Sequence, residues 1–231
     1  MAFTLDDVLR KKRQQQENAD RPKIDWFGIG GKNKNPIKVQ FLQEFSTDAE
    51  NYDSTRGTVL FLAEHVSPYN FKRKAECTID TEGRCWPCEM AKIESEVAFK
   101  GETIKFPWKQ RSNMYTWVAT EDSELKVLSR PAPGAFFNLL HDYSEDNGGI
   151  TNQTFKISKG PNKTDSWALM PVKTEIELPD LAEMVDLQTA IGVKKPYEEQ
   201  KRFYMPEEET SGETQTPAVT KAERAESDFS W

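Results

Sequence analysis

Alternating apolar and polar residues divide the middle of the chain into short strands. Residues 36–45 (PIKVQFLQEF) alternate with a period of two, which is typical of a half-buried strand. Further strand-like runs predict strands over 58–66, 69–76, 103–108, 114–120, 124–128, 151–158 and 165–174. Short strands without a regular strand–helix–strand rhythm favour a mainly β fold, a small and mostly antiparallel barrel, over a doubly wound sheet.

Helical spacing of apolar residues predicts helices over 4–16, 88–99, 136–143 and 181–191. The first places Leu5, Val8 and Leu9 on one face and ends in the basic run 10–13. The glycine-rich segment 26–31 lacks the Gly-Lys-Ser/Thr ending of a phosphate loop and is interpreted as a hinge. These patterns divide the chain into a basic arm (1–23), a folded core (24–205) and a tail (206–231).

The composition indicates a modest core with solvated extensions. Hydrophobic residues make up 36% of the 231 residues and charged residues 30%. We expect a cytoplasmic protein without a membrane partner, because no apolar run reaches membrane-spanning length and the N-terminus lacks a signal-peptide core. Much of the net charge of −7 lies in the tail, where residues 207–231 contain seven acidic and two basic side chains. The nearly balanced remainder can therefore bind an anion.

Three cysteines and a histidine form the most specific motif. His65, Cys77, Cys85 and Cys88 include every cysteine in the chain and one of its two histidines. Four such ligands close a tetrahedral structural zinc site without an open position, and Cys85-Trp86-Pro87-Cys88 supplies two thiolates from one tight turn. The sequence therefore predicts one structural Zn²⁺ in a subdomain at about residues 62–100.

Other uses of these four residues fit the sequence less well. A disulfide would leave one odd thiol, and a thioredoxin-like site requires a βαβ context that the pattern lacks. A zinc deaminase requires His-x-Glu before Pro-Cys-x-x-Cys, whereas Val66 and Ser67 follow His65 and Pro87 lies between the last two cysteines. For His65, a packed histidine without a metal remains the alternative.

Aromatic and basic residues alternate in two parts of the core. One set comprises Tyr69, Phe71, Lys72, Arg73 and Lys74, and the other comprises Lys105, Trp108, Lys109, Arg111, Tyr115, Trp117 and Arg130. This mixture is typical of single-stranded nucleic acid binding, in which cations follow phosphates and rings stack on bases. The alternative is that the rings belong to the core and the cations to a solvated face. No catalytic constellation accompanies them, so we expect a non-catalytic protein.

The motif and the strands around it resemble the single-stranded DNA-binding, or helix-destabilising, proteins of T4-type phages. The resemblance covers about residues 36–130 and includes the metal motif, the strand 38–42, and the basic residues Lys109 and Arg111 leading to Tyr115 and Trp117. It implies an oligonucleotide-binding (OB) barrel with an inserted zinc subdomain. It also implies a protein that coats and protects single-stranded DNA during phage replication, recombination and repair, with self-association on DNA.

The end of the tail has the same character. Asp228, Phe229 and Trp231 close an acidic segment that has almost no aliphatic content, so we expect the tail to be disordered. Acidic tails that end in an aromatic residue dock replication and recombination partners in single-stranded DNA-binding proteins, and this tail is similar. The alternative is a tail that only increases solubility.

Two other functional classes remain open. One is a zinc-ribbon transcription or regulatory factor that binds duplex DNA or a protein partner. The other is a small nuclease or primase accessory enzyme. Competition between duplex and single strands distinguishes the first class from the single-strand hypothesis, and activity with magnesium distinguishes the second.

Overall fold

The structure is a computed structural model that describes residues 19–28, 36–99, 108–159 and 167–205, together with single positions 5, 8, 9, 12 and 16. Those single positions are helical, as the apolar spacing predicts. Some predictions lie outside the described residues. These are residues 103–107 of the predicted strand 103–108, the predicted contact Lys105, and the predicted tail contacts Asp228, Phe229 and Trp231.

Strands and helices follow one another in an irregular order. The strands are β1 (Ile37–Phe41), β2 (Leu60–Val66), β3 (Lys74–Glu76), β4 (Arg111–Thr120), β5 (Leu125–Pro131), β6 (Thr154–Lys159) and β7 (Trp167–Val172). The helices are α1 (Ile79–Glu82), α2 (Trp86–Phe99), α3 (Ala135–Asn147), α4 (Leu187–Ile191) and α5 (Tyr197–Tyr204), with a 3-10 turn at Leu181–Glu183.

The ten-residue strand β4 organises the sheet. One of its edges pairs with β5 along most of its length. The opposite edge pairs with β2 over its first half, where Tyr115 faces Leu60, and with β1 over its second half, where Val118 faces Phe41. β3 extends the sheet beyond β2, and β6 and β7 extend it beyond β1, all antiparallel.

Apolar residues cover both faces of this sheet. On the back face, Phe41, Val118, Leu128 and Phe155 belong to a core cluster that includes Phe136 and Leu140 of α3. On the front face, residues of the alternate parity pack with α4; they are Leu62, Tyr115, Trp117 and Val127. Seven of the ten residues of β4 are buried, because helices cover the sheet from both sides.

A glutamine side chain completes the hydrogen bonding of β4 where its edge passes from β1 to β2. The backbone N–H of Trp117 donates to Gln43 Oε1 (3.0 Å), and Gln43 Nε2 donates to the carbonyl of Arg56 (2.7 Å). Leu42 N–H donates to the Trp117 carbonyl (3.0 Å). A buried backbone group without a partner is unfavourable, so Gln43 replaces the strand that is missing at this junction.

A buried carboxylate attaches the turn after α3 to the end of β1. Glu44 Oε2 accepts from Ile150 N–H (2.9 Å), and Glu44 Oε1 accepts from Thr151 N–H (2.8 Å) and Thr151 Oγ1 (2.6 Å). Gly149 has a φ of +150°, and a Cβ at this position would lie 2.7 Å from Glu44 Oε1. A residue without a side chain is therefore required where the turn approaches the carboxylate.

Two predicted elements differ from the structure. The predicted strand 69–76 is shortened to Lys74–Glu76, because the side chains of Ser67 and Asn70 accept backbone N–H groups of residues 69, 70 and 72 and form a turn. The predicted helix 181–191 is divided into a 3-10 turn and α4, because Asp186 accepts from Thr189 N–H (2.8 Å) and starts a new helix. The sequence did not predict α5.

The fold class is mainly β with helices, as predicted, with an open antiparallel sheet. β3, β5 and β7 each pair with one strand, so no strand pairing within the described residues closes the predicted barrel. Across the same residues, no helix combines the length and apolar character needed to cross a bilayer.

The Gln43 junction leads to a prediction about stability. Gln43→Met keeps the length of the side chain but leaves Trp117 N–H and the Arg56 carbonyl without partners. We expect the free energy of unfolding, measured by urea denaturation, to fall by about 1–3 kcal/mol. As a control, Gln110→Met at an exposed position should change it by less than about 0.5 kcal/mol. Equal stability of the two variants would contradict this role of Gln43.

Candidate metal centre and nucleic-acid interface

Four elements bring the predicted ligands together. His65 lies near the end of β2, Cys77 follows β3, Cys85 follows α1, and Cys88 lies in the first turn of α2. Gly83 ends α1 with a φ of +70°, a left-handed conformation that glycine adopts without strain, and it lets the chain reverse towards Cys85. His65 and Cys85 are buried, and Cys77 and Cys88 are half-buried.

Two separations between the ligand atoms match those expected around one tetrahedral ion. One ligand atom from each residue lies within 4.8 Å of the others. His65 Nε2 is 3.3 Å from Cys88 Sγ, and Cys77 Sγ is 3.5 Å from Cys88 Sγ. Zinc bonds of ordinary length place neighbouring ligand atoms about 3.3–3.8 Å apart. The residues therefore form a cluster that is compatible with one zinc site, as the sequence predicts.

The orientation of His65 also favours a metal ligand. Its Nδ1 lies 2.9 Å from the backbone carbonyl of Trp108, so Nδ1 carries the proton and donates to that carbonyl. Its Nε2 then presents a lone pair to the cysteines. Histidine ligands are usually oriented by such a second hydrogen bond.

The surroundings of the three cysteines shift their pKa values in different directions. Burial raises the pKa of Cys77, and burial followed by the neighbouring cysteines raises the pKa of Cys88. Burial also acts to raise the pKa of Cys85, but the contact with His65 and hydrogen bonds from the backbone N–H groups of Thr78 and Cys88 outweigh it and lower the pKa to about 6. Without a metal the site favours one thiolate, and a dication would stabilise all three.

The last helix, α5, supports the cysteine turn through a residue that the sequence did not single out. Gln200 is 1% exposed, and its Oε1 accepts from the backbone N–H of Trp86 (2.7 Å). Its Nε2 donates to Thr78 Oγ1 (2.8 Å) and to the Lys195 carbonyl (2.9 Å). Trp86 directly follows Cys85, and Thr78 directly follows Cys77, so both of these partners adjoin a predicted ligand. A glutamine in a polar helix carries no spacing signal, so only the tertiary contacts identify it.

Comparisons with known proteins give no match. No protein-family model, no curated protein and no solved structure matches this chain.

Several predicted nucleic-acid contacts are exposed together at one end of the sheet. The loop between β2 and β3, residues 67–73, is called the hairpin loop, and it presents Tyr69 (55% exposed), Phe71 (79% exposed) and Lys72. Lys109 and Arg111 are also exposed at the start of β4, where Arg111 pairs in register with Glu64 of β2. These five residues are called the hairpin patch.

Three predicted stacking rings are instead buried, which corrects the sequence interpretation. Tyr115 is 1% exposed, Trp117 3% and Trp108 5%. Tyr115 and Trp117 share one strand face, and that face packs against α4. Trp108 packs with Trp86 (5.0 Å between ring centroids) and Tyr204 (5.9 Å) beside the metal cluster. A ring without an exposed face cannot stack on a base in this conformation.

Within the described residues, the other predicted cations, Arg73, Lys74 and Arg130, contact groups of the protein itself. Lys74 Nζ forms an ion pair with Glu64 Oε1 (3.1 Å) and donates to Tyr115 Oη (2.6 Å). Arg73 Nη1 donates to the Met205 carbonyl (2.7 Å), and the Arg130 guanidinium lies 5.7 Å from the centroid of the Phe136 ring. Burial, followed by the Glu64 carboxylate, raises the pKa of Tyr115, so its hydroxyl stays protonated and donates to Glu64 (2.5 Å).

The metal cluster leads to the second prediction. Metal analysis of protein purified without chelator should give one zinc per chain, and a strong chelator should lower the melting temperature, because metal binding stabilises only the folded ligand set. Cys85→Ser should have a lower melting temperature that chelator does not reduce further. Equal responses of the two proteins to chelator would contradict a zinc site at Cys85.

Proposed function

We propose that this protein binds single-stranded DNA without catalysis, through the hairpin patch next to a structural zinc site. The observation that carries the proposal is the joint exposure of rings and cations at one end of the sheet. Phe71 is 79% exposed, although burial of a phenylalanine is strongly favourable. Phe71 and Lys72 are adjacent, so one loop offers a stacking surface and a charge for a phosphate.

Local charge supports an anionic ligand. Lys72, Lys109 and Arg111 are exposed around the loop. The carboxylate nearest in register to Arg111 belongs to Glu64, which is buried and neutralised by its ion pair with Lys74. The net charge of −7 for the whole chain therefore does not describe this surface.

The metal cluster lies at the base of the hairpin patch and can hold its strands in place. His65 lies at the base of the hairpin loop on β2, and Cys77 directly follows β3. The His65 ring also holds the carbonyl of Trp108, the residue before Lys109. One ion bound by these side chains would fix both strands of the hairpin and the start of β4, and would reduce the conformational entropy lost on binding.

The proposal also includes an OB-type fold and a biological role on single-stranded DNA. We take the sheet to be a variant of the OB barrel with an inserted zinc subdomain, in line with the resemblance to T4-type phage proteins. The corresponding role is coating and protecting single-stranded DNA during phage replication, recombination and repair, with self-association along the strand. The protein partners would be replication and recombination proteins that bind the tail.

The position of residue 205 supports a regulatory role for the tail. Ser67 Oγ donates to the Tyr204 carbonyl (2.5 Å), and Arg73 Nη1 donates to the Met205 carbonyl (2.7 Å). Both donors belong to the hairpin loop, so residue 205, which precedes the acidic tail in the sequence, lies beside that loop. A tethered anion has a high effective concentration at this surface and would compete with DNA.

The direct test removes two charges from the hairpin patch. The double variant Lys109→Ala/Arg111→Ala should bind single-stranded oligothymidylate more weakly, and the slope of log affinity against log salt should fall by about one to two, because each cation neutralises one phosphate. Fluorescence anisotropy over a salt series measures both quantities.

The matched control is Lys156→Ala/Lys173→Ala, which removes the same charge near β6 and β7 at the opposite end of the sheet. Its affinity and salt slope should stay close to wild type. The single-strand hypothesis fails if both double variants behave like wild type. Tighter binding to duplex than to single strands would instead favour a zinc-ribbon regulatory factor.

The tail leads to a separate prediction. Deleting residues 207–231 removes seven acidic and two basic side chains, so single-strand affinity should rise at low salt and the gain should fade as salt screens the charges. A matched variant with the seven acidic residues changed to their amides should reproduce the gain at full tail length. Affinity unchanged at low salt in both variants would contradict competition by the tail.

A further inference from the structure

An exposed tryptophan on the front face of the sheet has no part in the metal cluster or the hairpin patch. Trp26 is 51% exposed, although large apolar side chains are usually covered. It lies in the segment 26–31 that the sequence analysis interprets as a hinge. Its backbone, however, is not free, because it lies along β5 as a short added strand.

The pairing with β5 determines the direction of the ring. Trp26 forms a parallel bridge with Val127, supported by hydrogen bonds from Phe27 N–H to the Val127 carbonyl (2.9 Å) and from Val127 N–H to the Asp25 carbonyl (2.7 Å). Side chains alternate along a strand, so Phe27 enters the back-face core while Trp26 points to the front face. The ring is therefore placed by backbone geometry.

The surroundings of Trp26 connect it to the hairpin patch. Its ring lies 6.1 Å from the Tyr115 ring in an edge-to-face contact. The Tyr115 ring has Lys74 Nζ 4.9 Å from its centroid, and Lys74 is the first residue of β3 after the hairpin loop. Arg111 and Tyr115 are four residues apart on β4, so Arg111 points to the same face about 13 Å away along the strand.

The face between Arg111 and Trp26 is polar and carries little negative charge. Asn113 is half-buried between them, and its side chain donates to Glu64 Oε2 (3.0 Å). The Glu64 carboxylate is covered by Asn113, Tyr115 and Lys74. Because α4 covers Tyr115, a phosphate backbone would pass on the β5 side of this face, where Ser129 is half-buried and Pro131 is exposed.

We infer that Trp26 is a second base-stacking residue, and that a single strand bound at the hairpin patch continues across the front face from Arg111 to Trp26. This inference rests on the proposed function and extends it, because it adds a contact outside the hairpin patch. The Trp26 side chain is about half exposed beside Tyr115, so it can offer ring surface to a base, and base stacking tolerates any sequence.

The test compares two substitutions that both fill the contact with Tyr115. Trp26→Leu removes the aromatic face, and Trp26→Phe keeps one. For labelled oligothymidylates of increasing length, Trp26→Leu should weaken binding of the longer strands about tenfold, since stacking contributes about 1–3 kcal/mol per base. Trp26→Leu should not change the affinity for the shortest oligothymidylates that bind, because these occupy the hairpin patch alone. Trp26→Phe should remain close to wild type at every length.

The matched control is Phe61→Leu, an aromatic-to-leucine change at a 47% exposed position on the back face. It should not alter binding at any length. A second measurement uses intrinsic fluorescence, in which Trp26→Phe should lose part of the tryptophan quenching that a long oligothymidylate causes in wild type. This measurement does not require the leucine variant to fold.

The outcomes separate the inference from the proposed function. If Trp26→Leu binds every length like wild type while Lys109→Ala/Arg111→Ala is weakened, the strand does not reach Trp26 and only this inference is overturned. Unchanged quenching in Trp26→Phe would overturn it equally. If wild type does not bind single-stranded oligothymidylate, the proposed function and this inference fail together.

Discussion

The hydrogen-bonding requirement of one buried strand governs the arrangement of the whole core. β4 is covered on both faces, so its backbone groups have little access to water and must pair at both edges. β5 satisfies one edge, and β2 and β1 share the other with Gln43 at their junction. This requirement aligns β2 with the start of β4, and it thereby brings His65, the Trp108 carbonyl and Arg111 to the same end of the sheet.

The metal cluster joins parts of the chain that the sheet leaves separate. Its ligands follow one another between His65 and Cys88, but their support comes from far along the chain through Gln200 and Tyr204 of α5. The predicted subdomain at 62–100 is therefore completed by residues near 200. This arrangement also brings residue 205, where the acidic tail starts, beside the hairpin loop. In the proposed function, the same contacts therefore position the metal site, the hairpin patch and residue 205.

Exposure separates the aromatic residues into two groups with different roles. Trp108, Tyr115 and Trp117 are buried and stabilise the core, whereas Tyr69, Phe71 and Trp26 are at least half exposed. The same separation applies to the cations, because Lys74 neutralises the buried Glu64 while Lys72, Lys109 and Arg111 face solvent. The proposed interface therefore excludes Tyr115 and Trp117 of the predicted strand 114–120. It includes Trp26, which was not among the predicted contacts.

The sequence by itself determined several strands and the candidate metal ligands. Strand-like runs identified β1, β2 and β4, and the spacing of three cysteines and a histidine identified a cluster that is compatible with one zinc site, because both signals are local or use rare residue types. Only the tertiary structure decided which face of β4 is covered, that Ser67 and Asn70 turn the chain before β3, and that Gln43 and Gln200 complete distant hydrogen bonds. The physical reason is that burial and hydrogen-bond partners depend on residues far apart in the chain, and Tyr115 has the same local pattern whether α4 or a DNA base covers its ring.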